Sequence, residues 1–172
     1  MNYAFTNGKI LDGTKDMQVQ TGLCILVQDG TITDIVPDTA DLSGYETIDL
    51  QGRYIMPGLI NMHVHLAGNG KPQKKQRDNE KLVKKIMRSS LTRAVAYKMV
   101  SGFAKDELLS GVTTIRTVGG LGSFDTRLRD EIAAGTKVGP RILAANEGIS
   151  VPGGHMAGSV AIAAASIPEA LA

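Results

Sequence analysis

Residues 56–66 read MPGLINMHVHL, in which Pro-Gly introduces a mostly apolar run. This pattern predicts a buried β-strand over residues 59–66. His63 and His65 stand two positions apart in that strand, so their side chains point to the same face, near the strand's C-terminal end. Two imidazoles in this arrangement are able to share a divalent metal ion, whereas the alternative for a bare His-x-His pair is a satisfied polar pair in a turn.

Downstream of this strand, the sequence alternates between strands and helices. β-branched residues at 112–118 predict a second strand, and residues 141–145 predict a third. The spacing of apolar residues predicts a long helix over residues 74–109, with Gly102 as a candidate break, and a shorter helix between the second and third strands. Alternation of strands and helices is typical of βα units in a parallel sheet, so we expect an α/β fold.

The shorter helix has recognisable ends. Ser123 is suited to the N-cap position and Gly135 to the C′ position. The preceding segment, Gly119-Gly120-Leu121-Gly122, lacks the full GxGxxG spacing and a following Lys-Ser/Thr pair, which disfavours dinucleotide and P-loop chemistry. We therefore interpret this segment as a flexible βα loop.

Residues 1–55 have a different character, with short β runs separated by turns. Asp29-Gly30 lies between apolar runs at 23–27 and 32–36, and Asp-Gly in this setting predicts a hairpin because a type I′ turn needs positive φ at both central residues. The sequence thus divides into a small β layer at 1–55 and a βα region at 56–172.

Positive charge is concentrated in one segment. The 172 residues carry 19 basic and 17 acidic side chains, a net charge of +2. Residues 71–98 hold ten Lys and Arg against Asp78 and Glu80, which is +8, so the remainder is nine minus fifteen, or −6. Tyr97 is the only aromatic residue of the segment, and its apolar positions keep a helical stripe. A solvated helix face is therefore favoured over binding to nucleic acid or membrane.

Composition indicates an ordinary globular protein of a reducing compartment. Apolar residues make up 42% and charged residues 21% of the chain, which suits a packed core and excludes a disordered or collagen-like chain. Cys24 is the single cysteine, so neither an intramolecular disulfide nor a cysteine-based zinc site can form. The first residues lack the pattern of a secretory signal, and no apolar window approaches the roughly 18 residues of a spanning helix. We expect a soluble, cytoplasmic protein.

Several further motifs occur in a fixed order around the His pair. They are ILDG at residues 10–13, the hairpin at 22–36, GVTTIR at 111–116, GG at 119–120, GPRI at 139–142 and PGGH at 152–155. Together with MPGLINMHVHL, they resemble the amidohydrolase superfamily, in its imidazolonepropionase and Xaa-Pro dipeptidase-like branch. The resemblance implies an N-terminal β-sandwich portion at 1–55 and, at 56–172, the first three βα units of an incomplete (β/α)8 TIM-type barrel.

The resemblance also implies a chemistry. Members of this superfamily hydrolyse a C–N bond with metal-bound hydroxide, and the His pair of their first barrel strand ligates one metal ion, usually zinc. His63 and His65 occupy those positions here. The family's remaining groups, a carboxylated lysine, two histidines and a catalytic aspartate, lie on later strands, which we expect beyond Ala172. The expected substrates are small amides, dipeptides with a C-terminal proline-like residue, or cyclic ureas and imidazolones.

Two more residues stand where the resemblance implies contact with the substrate. His155 lies in the Gly-rich loop after the third strand, where a hydrogen bond to the backbone is an equally good interpretation. Arg116 ends the second strand, and its guanidinium suits a substrate carboxylate, although a strand-end salt bridge is the more ordinary role. An Asp commonly follows this Arg in the branch, whereas this chain has Thr117, which leaves open whether an ion pair or hydrogen bond forms there.

Residues 166–172 predict the first turn of a helix. Ser166-Ile167-Pro168-Glu169 is a capping box with Pro in the first turn, and three residues follow it. We therefore expect the N-terminal part of a larger enzyme, completed by a C-terminal chain or within a homo-oligomer. The alternatives are a truncated, catalytically inactive fragment or subunit and, less favoured, a basic polyanion-binding module. An open three-stranded parallel sheet also predicts self-association.

Overall fold

The computed structural model describes residues 1–68, 70 and 78–171, which form a mixed α/β protein. The chain divides into two compact units, Met1–Pro57 and Gly58–Ala172. In the described ranges, no helix is both long enough and apolar enough to cross a bilayer.

The first unit is built from short strands. They are β1 (Asn2–Thr6), β2 (Lys9–Ile10), β3 (Leu23–Gln28), β4 (Thr31–Pro37), β5 (Glu46–Asp49) and β6 (Tyr54–Ile55). Four of them form a sheet in the order β4-β3-β1-β5, and β2 pairs with β6. The predicted hairpin is confirmed, because β3 and β4 are antiparallel and both Asp29 and Gly30 have positive φ. Cys24 is buried in this unit, and its burial raises the pKa of the thiol.

The second unit alternates between strands and helices. Its elements are β7 (Leu59–Val64), α1 (Asn79–Arg88), α2 (Ser90–Leu109), β8 (Val112–Thr117), α3 (Phe124–Ala133), β9 (Arg141–Leu143), β10 (Gly148–Ser150), β11 (Ala161–Ala163) and α4 (Ile167–Leu171). The predicted parallel arrangement is confirmed, because β7, β8 and β9 form one sheet in that order with parallel pairing. The two short strands β10 and β11 form a separate parallel pair.

One face of the three-stranded sheet is covered by helices. α2 packs on β8, and α3 packs on β9. Ile115 and Thr117 of β8 are buried on this side, whereas Arg116 between them is exposed, as the alternation of side chains along a strand requires. The hydrophobic core of the unit combines strand residues with helix residues; it includes Val64, Leu66, Ile115, Ile142, Val100, Ala104 and Leu128.

The helical stretch predicted over residues 74–109 is interrupted, and two helices occupy its described part. Residues 74–77 of that prediction lie outside the described residues. The break falls at Ser89, which has an extended backbone, and not at Gly102, which lies inside α2. Two side chains stabilise the break: Ser89 accepts a hydrogen bond from the start of α2, and the Thr92 hydroxyl donates to a carbonyl near the end of α1.

The N-terminus of α3 is capped from a distant loop. Ser123 holds the N-cap position, as predicted, but its side chain makes no capping hydrogen bond. Asn146, which follows β9, supplies the cap instead: its Oδ1 accepts from the backbone N–H of Thr126 at 3.1 Å and from the Thr126 hydroxyl at 2.8 Å. At the other end of the helix, Gly135 has a φ of 71° and follows the C-cap residue, which confirms its predicted C′ role.

Candidate metal centre

His63 and His65 lie next to each other at the C-terminal end of β7. His63 is in the strand, His65 follows it, and their ring centroids are 5.2 Å apart at an angle of 72°. The amide of His63 donates to the Asn61 side chain, which helps to hold this end of the strand. Both imidazoles are exposed and line a cavity of about 560 Å³, together with Phe103 and Asp106. The pair is therefore accessible to a ligand.

One ring nitrogen of His65 forms a hydrogen bond within the protein. Its Nδ1 lies 3.1 Å from the carbonyl oxygen of Gly119. Because a carbonyl only accepts hydrogen bonds, Nδ1 must carry the proton, and the lone pair of Nε2 stays free. Histidines that bind metals in proteins are generally oriented by a hydrogen bond of this kind from their other nitrogen. The arrangement thus leaves Nε2 of His65 available as a donor to a ligand.

The Gly119–Gly120 turn lies in the predicted βα loop between β8 and α3, and it is closely packed. Both glycines are buried. Gly119 has a φ of +144°, and a Cβ there would lie 3.2 Å from two atoms of the His65 ring. A Cβ on Gly120 would lie 2.5 Å from Oδ2 of Asp125. Glycine is required at both positions because an imidazole and a carboxylate approach the backbone closely.

Asp125 is a functional candidate that the sequence interpretation missed. It lies in the first turn of α3, is 1% exposed, and has no hydrogen-bond partner for Oδ2 among the described residues. Burial raises the pKa of its carboxyl, while a hydrogen bond from Thr117 and the nearby His65 act in the opposite direction. The sequence does contain an indication of its burial: Asp125 precedes Leu128 by three residues, which places both on the same face of the helix.

The two predicted substrate residues do not line the cavity of the His pair. His155 is exposed in the loop that precedes β11. Arg116 is exposed on β8 and lines a different cavity of about 380 Å³; in the described part of the chain it forms no ion pair. Thr117, where the branch commonly has Asp, is fully buried, and its hydroxyl accepts a hydrogen bond from the amide of Ala145. Of the four predicted site residues, the structure brings together His63 and His65.

The pair fits part of a divalent-metal site. Imidazole nitrogen is a preferred ligand for zinc, and the free Nε2 of His65 beside the accessible His63 provides two such donors. A catalytic zinc ion takes about three protein ligands. Over the described ranges, no third His, Cys, Asp or Glu side chain joins the pair. The described residues thus offer two imidazole donors, fewer than a catalytic zinc ion takes.

The chain is similar to known proteins in sequence and in fold. The Amidohydrolase family matches residues 54–171. A dihydroorotase from Trichlorobacter lovleyi is 37% identical over 70 residues, which are 41% of this chain and 16% of that protein. An imidazolonepropionase from Salmonella paratyphi A is 34% identical over 113 residues, 57% of this chain and 28% of that protein. The structure of an Xaa-Pro dipeptidase with methionine bound in its active site has a TM-score of 0.70 and 31% identity, and the match covers 90% of this chain and 36% of that one.

The matched proteins are all longer than this chain, which spans between about a sixth and about a third of their length. The family match nevertheless extends over more than half of the chain. It confirms the resemblance that the sequence motifs indicated. The chain belongs to the amidohydrolase family.

Proposed function

We propose that this chain supplies the first metal-binding strand of a metal-dependent hydrolase that cleaves a C–N bond in an amide, a peptide or a cyclic amide. His63 and His65 would bind a divalent metal ion, preferably zinc. The observation that carries the proposal is the hydrogen bond from Nδ1 of His65 to Gly119, which leaves Nε2 free beside His63. The relatives named as dihydroorotase, imidazolonepropionase and Xaa-Pro dipeptidase support this class of substrate.

We assign the second unit to the first three βα units of a (β/α)8 barrel and the first unit to part of a β-sandwich. The parallel order β7-β8-β9, with α2 and α3 on one face, supports the barrel assignment. In such a barrel, the C-terminal ends of the strands form the catalytic face, and His63 and His65 lie at that end of β7. Further ligands and the catalytic group would come from residues other than those described, through a completing C-terminal chain or a homo-oligomer.

The chain's own residues have defined parts in this chemistry. A divalent ion held by the pair would supply Lewis acidity, which polarises a carbonyl and acidifies water. Gly119 orients the His65 ring through its carbonyl, and Asn61 holds the backbone at His63. Arg116, with an exposed guanidinium, is proposed to bind a substrate carboxylate, and His155 to contact the substrate from its loop. The substrate is a small amide or dipeptide, and a single buried cysteine supports a reducing, cytoplasmic setting.

The alternative of a basic polyanion-binding module is less well supported. In the described part of the basic segment, Lys81 and Lys84 form ion pairs with Asp78 and Glu80, which reduces the free positive charge. The apolar residues of α1 pack against the core; they include Val83, Ile86 and Met87. These contacts favour a structural helix with a solvated outer face. Residues 71–77 of the segment lie outside the described residues.

A metal titration tests the proposal. Zinc is added to the metal-free chain while the side-chain NMR signals of its three histidines are followed. We expect the signals of His63 and His65 to change together, and zinc affinity to fall at least tenfold in His63→Ala and His65→Ala. His155→Ala is the matched control, because this exposed histidine lies outside the cavity of the pair. Zinc binding that survives in both pair variants would contradict the proposal.

Catalysis requires a complete ligand set, so a chimera tests the activity. In it, this chain replaces the corresponding N-terminal part of an Xaa-Pro dipeptidase similar to the matched structure. We expect hydrolysis of Xaa-Pro dipeptides by the chimera and its loss on His63→Ala or His65→Ala. A folded, zinc-loaded chimera without hydrolysis would favour the interpretation as a catalytically inactive fragment.

A further inference from the structure

Asp125 is a buried carboxylate that keeps one oxygen unpaired. It is 1% exposed, and its Oδ2 has no hydrogen-bond partner among the described residues. Most buried polar atoms in proteins are hydrogen-bonded, because an unpaired one destabilises the fold. The unpaired oxygen of Asp125 is therefore not explained by a contribution to the stability of α3. Its surroundings supply one, since it lies close to a proposed metal ligand.

The His65 imidazole packs closely on Gly119, and the Asp125 carboxyl packs closely on Gly120, the next residue of the same turn. A Cβ on Gly120 would lie 2.5 Å from Oδ2 of Asp125, and a Cβ on Gly119 would lie 3.2 Å from Nδ1 of His65. The carbonyl of Gly119 accepts the hydrogen bond from that same Nδ1. One short peptide segment thus separates the buried Asp125 carboxyl from the proton-bearing side of the imidazole.

Thr117 connects this arrangement to the neighbouring strand. Its buried hydroxyl oxygen accepts a hydrogen bond from the amide of Ala145 at 3.1 Å. The Thr117 hydroxyl also lies near enough to the Asp125 carboxyl to lower its pKa. Because the amide of Ala145 occupies an acceptor position on the oxygen, the hydroxyl proton remains available to the Asp125 carboxyl. The Asp125 carboxyl therefore lies beside a buried hydroxyl of β8 that also contacts the segment after β9.

We infer that Asp125 is a positioning residue for His65. Its carboxylate holds the Gly119–Gly120 turn against the imidazole, and its charge favours the tautomer with the proton on Nδ1, so that Nε2 stays free for a metal ion. Only this last step rests on the proposed function; the effect on the tautomer does not. Partners beyond the first ligands commonly act on metal-binding histidines in this way, and their removal typically weakens metal binding by 10- to 100-fold.

The test compares Asp125→Asn, which keeps the shape of the side chain, with the wild-type chain. Long-range ¹H–¹⁵N NMR spectra of the metal-free protein at pH 8, above the ordinary histidine pKa of about 6.5, report the tautomer of each histidine. We expect His65 to be protonated on Nδ1 in the wild type, and a larger population protonated on Nε2 in Asp125→Asn. Zinc affinity should fall at least tenfold. Asp130→Asn, at an exposed position of α3, is the control and should change neither.

The outcomes separate this inference from the proposed function. A folded Asp125→Asn variant with the wild-type tautomer of His65 would overturn the inference, even if zinc binds to the pair. A tautomer change in a chain that binds no zinc would support the inference and contradict the metal site. If Asp125→Asn does not fold, Thr117→Val is the second test, because it removes the hydroxyl beside the Asp125 carboxyl. We expect the same direction of change, and Thr117→Ser should keep the wild-type tautomer. A wild-type tautomer in folded Thr117→Val would then overturn the inference.

Discussion

Gly119 is the residue at which a single methyl group would disturb the proposed metal centre. An alanine Cβ there would lie 3.2 Å from the His65 ring and 3.3 Å from the carbonyl oxygen of Val160, at a φ that favours glycine. We expect Gly119→Ala to lower the free energy of unfolding by about 1–3 kcal/mol, as overpacking does, and to weaken zinc binding. Gly135→Ala is the control, because it also has positive φ but an open surrounding. Urea unfolding and zinc titration of both variants check this; equal zinc affinities would contradict it.

Tyr97 gives a prediction about stability at alkaline pH. Its hydroxyl donates to Glu131 at 2.7 Å, and burial, together with this carboxylate, raises the pKa of the phenol to about 12. An unfolded tyrosine has a pKa of about 10, so the folded state holds its proton more tightly. The resulting stabilisation is present below pH 10 and is lost as the pH rises toward 12. We expect Tyr97→Phe to be less stable at pH 8, and its stability to fall less between pH 10 and 12. Thermal unfolding measured across this range checks the prediction: the stabilities of the wild type and of Tyr97→Phe should converge as the pH approaches 12.

Among the secondary-structure elements, α3 offers a direct comparison of two capping residues. Asn146 provides the observed cap through Thr126, whereas the side chain of Ser123 makes no capping bond. We expect Asn146→Ala to lower the free energy of unfolding by about 1 kcal/mol, the usual cost of a lost N-cap. Ser123→Ala should leave it within about 0.5 kcal/mol of the wild type. Urea denaturation measures both values, and a larger loss for Ser123→Ala would show that the serine is the cap.

Elements defined by short-range signals could be predicted from the sequence. The Asp29-Gly30 hairpin and the C′ glycine at position 135 depend on the backbone preferences of one or two residues, and both were found. The break at Ser89 was missed because α1 and α2 each keep a helical spacing of apolar residues, so the pattern continues through the break. Serine and threonine side chains that satisfy freed backbone groups give a weaker sequence signal than glycine does, so the pattern indicates a break at Gly102 and not at Ser89.

At the scale of the whole chain, the site depends on contacts that no local pattern reveals. His63 and His65 could be identified because they share one strand, and a spacing of two fixes their common face. The contact between His65 and Gly119 joins residues 54 positions apart, and it depends on the parallel pairing of β7 with β8. Asp125 reaches the same turn from a helix. The proximity of the two histidines was therefore predictable, whereas the groups around them were not.

The open sheet of the second unit gives the last prediction. β7 pairs with β8 along one edge, and within the described residues its other edge has no partner strand. Ile60 on β7 is 64% exposed, and Leu59 and Met62 are also exposed. Unpaired edges with apolar side chains promote association between chains, and lysine on an edge strand opposes it. We expect the chain to self-associate with increasing concentration in sedimentation equilibrium and Ile60→Lys to reduce this association. Val138→Lys, which replaces an exposed apolar residue outside the strands, should not; a monomeric wild type at all concentrations would show that the edge is protected.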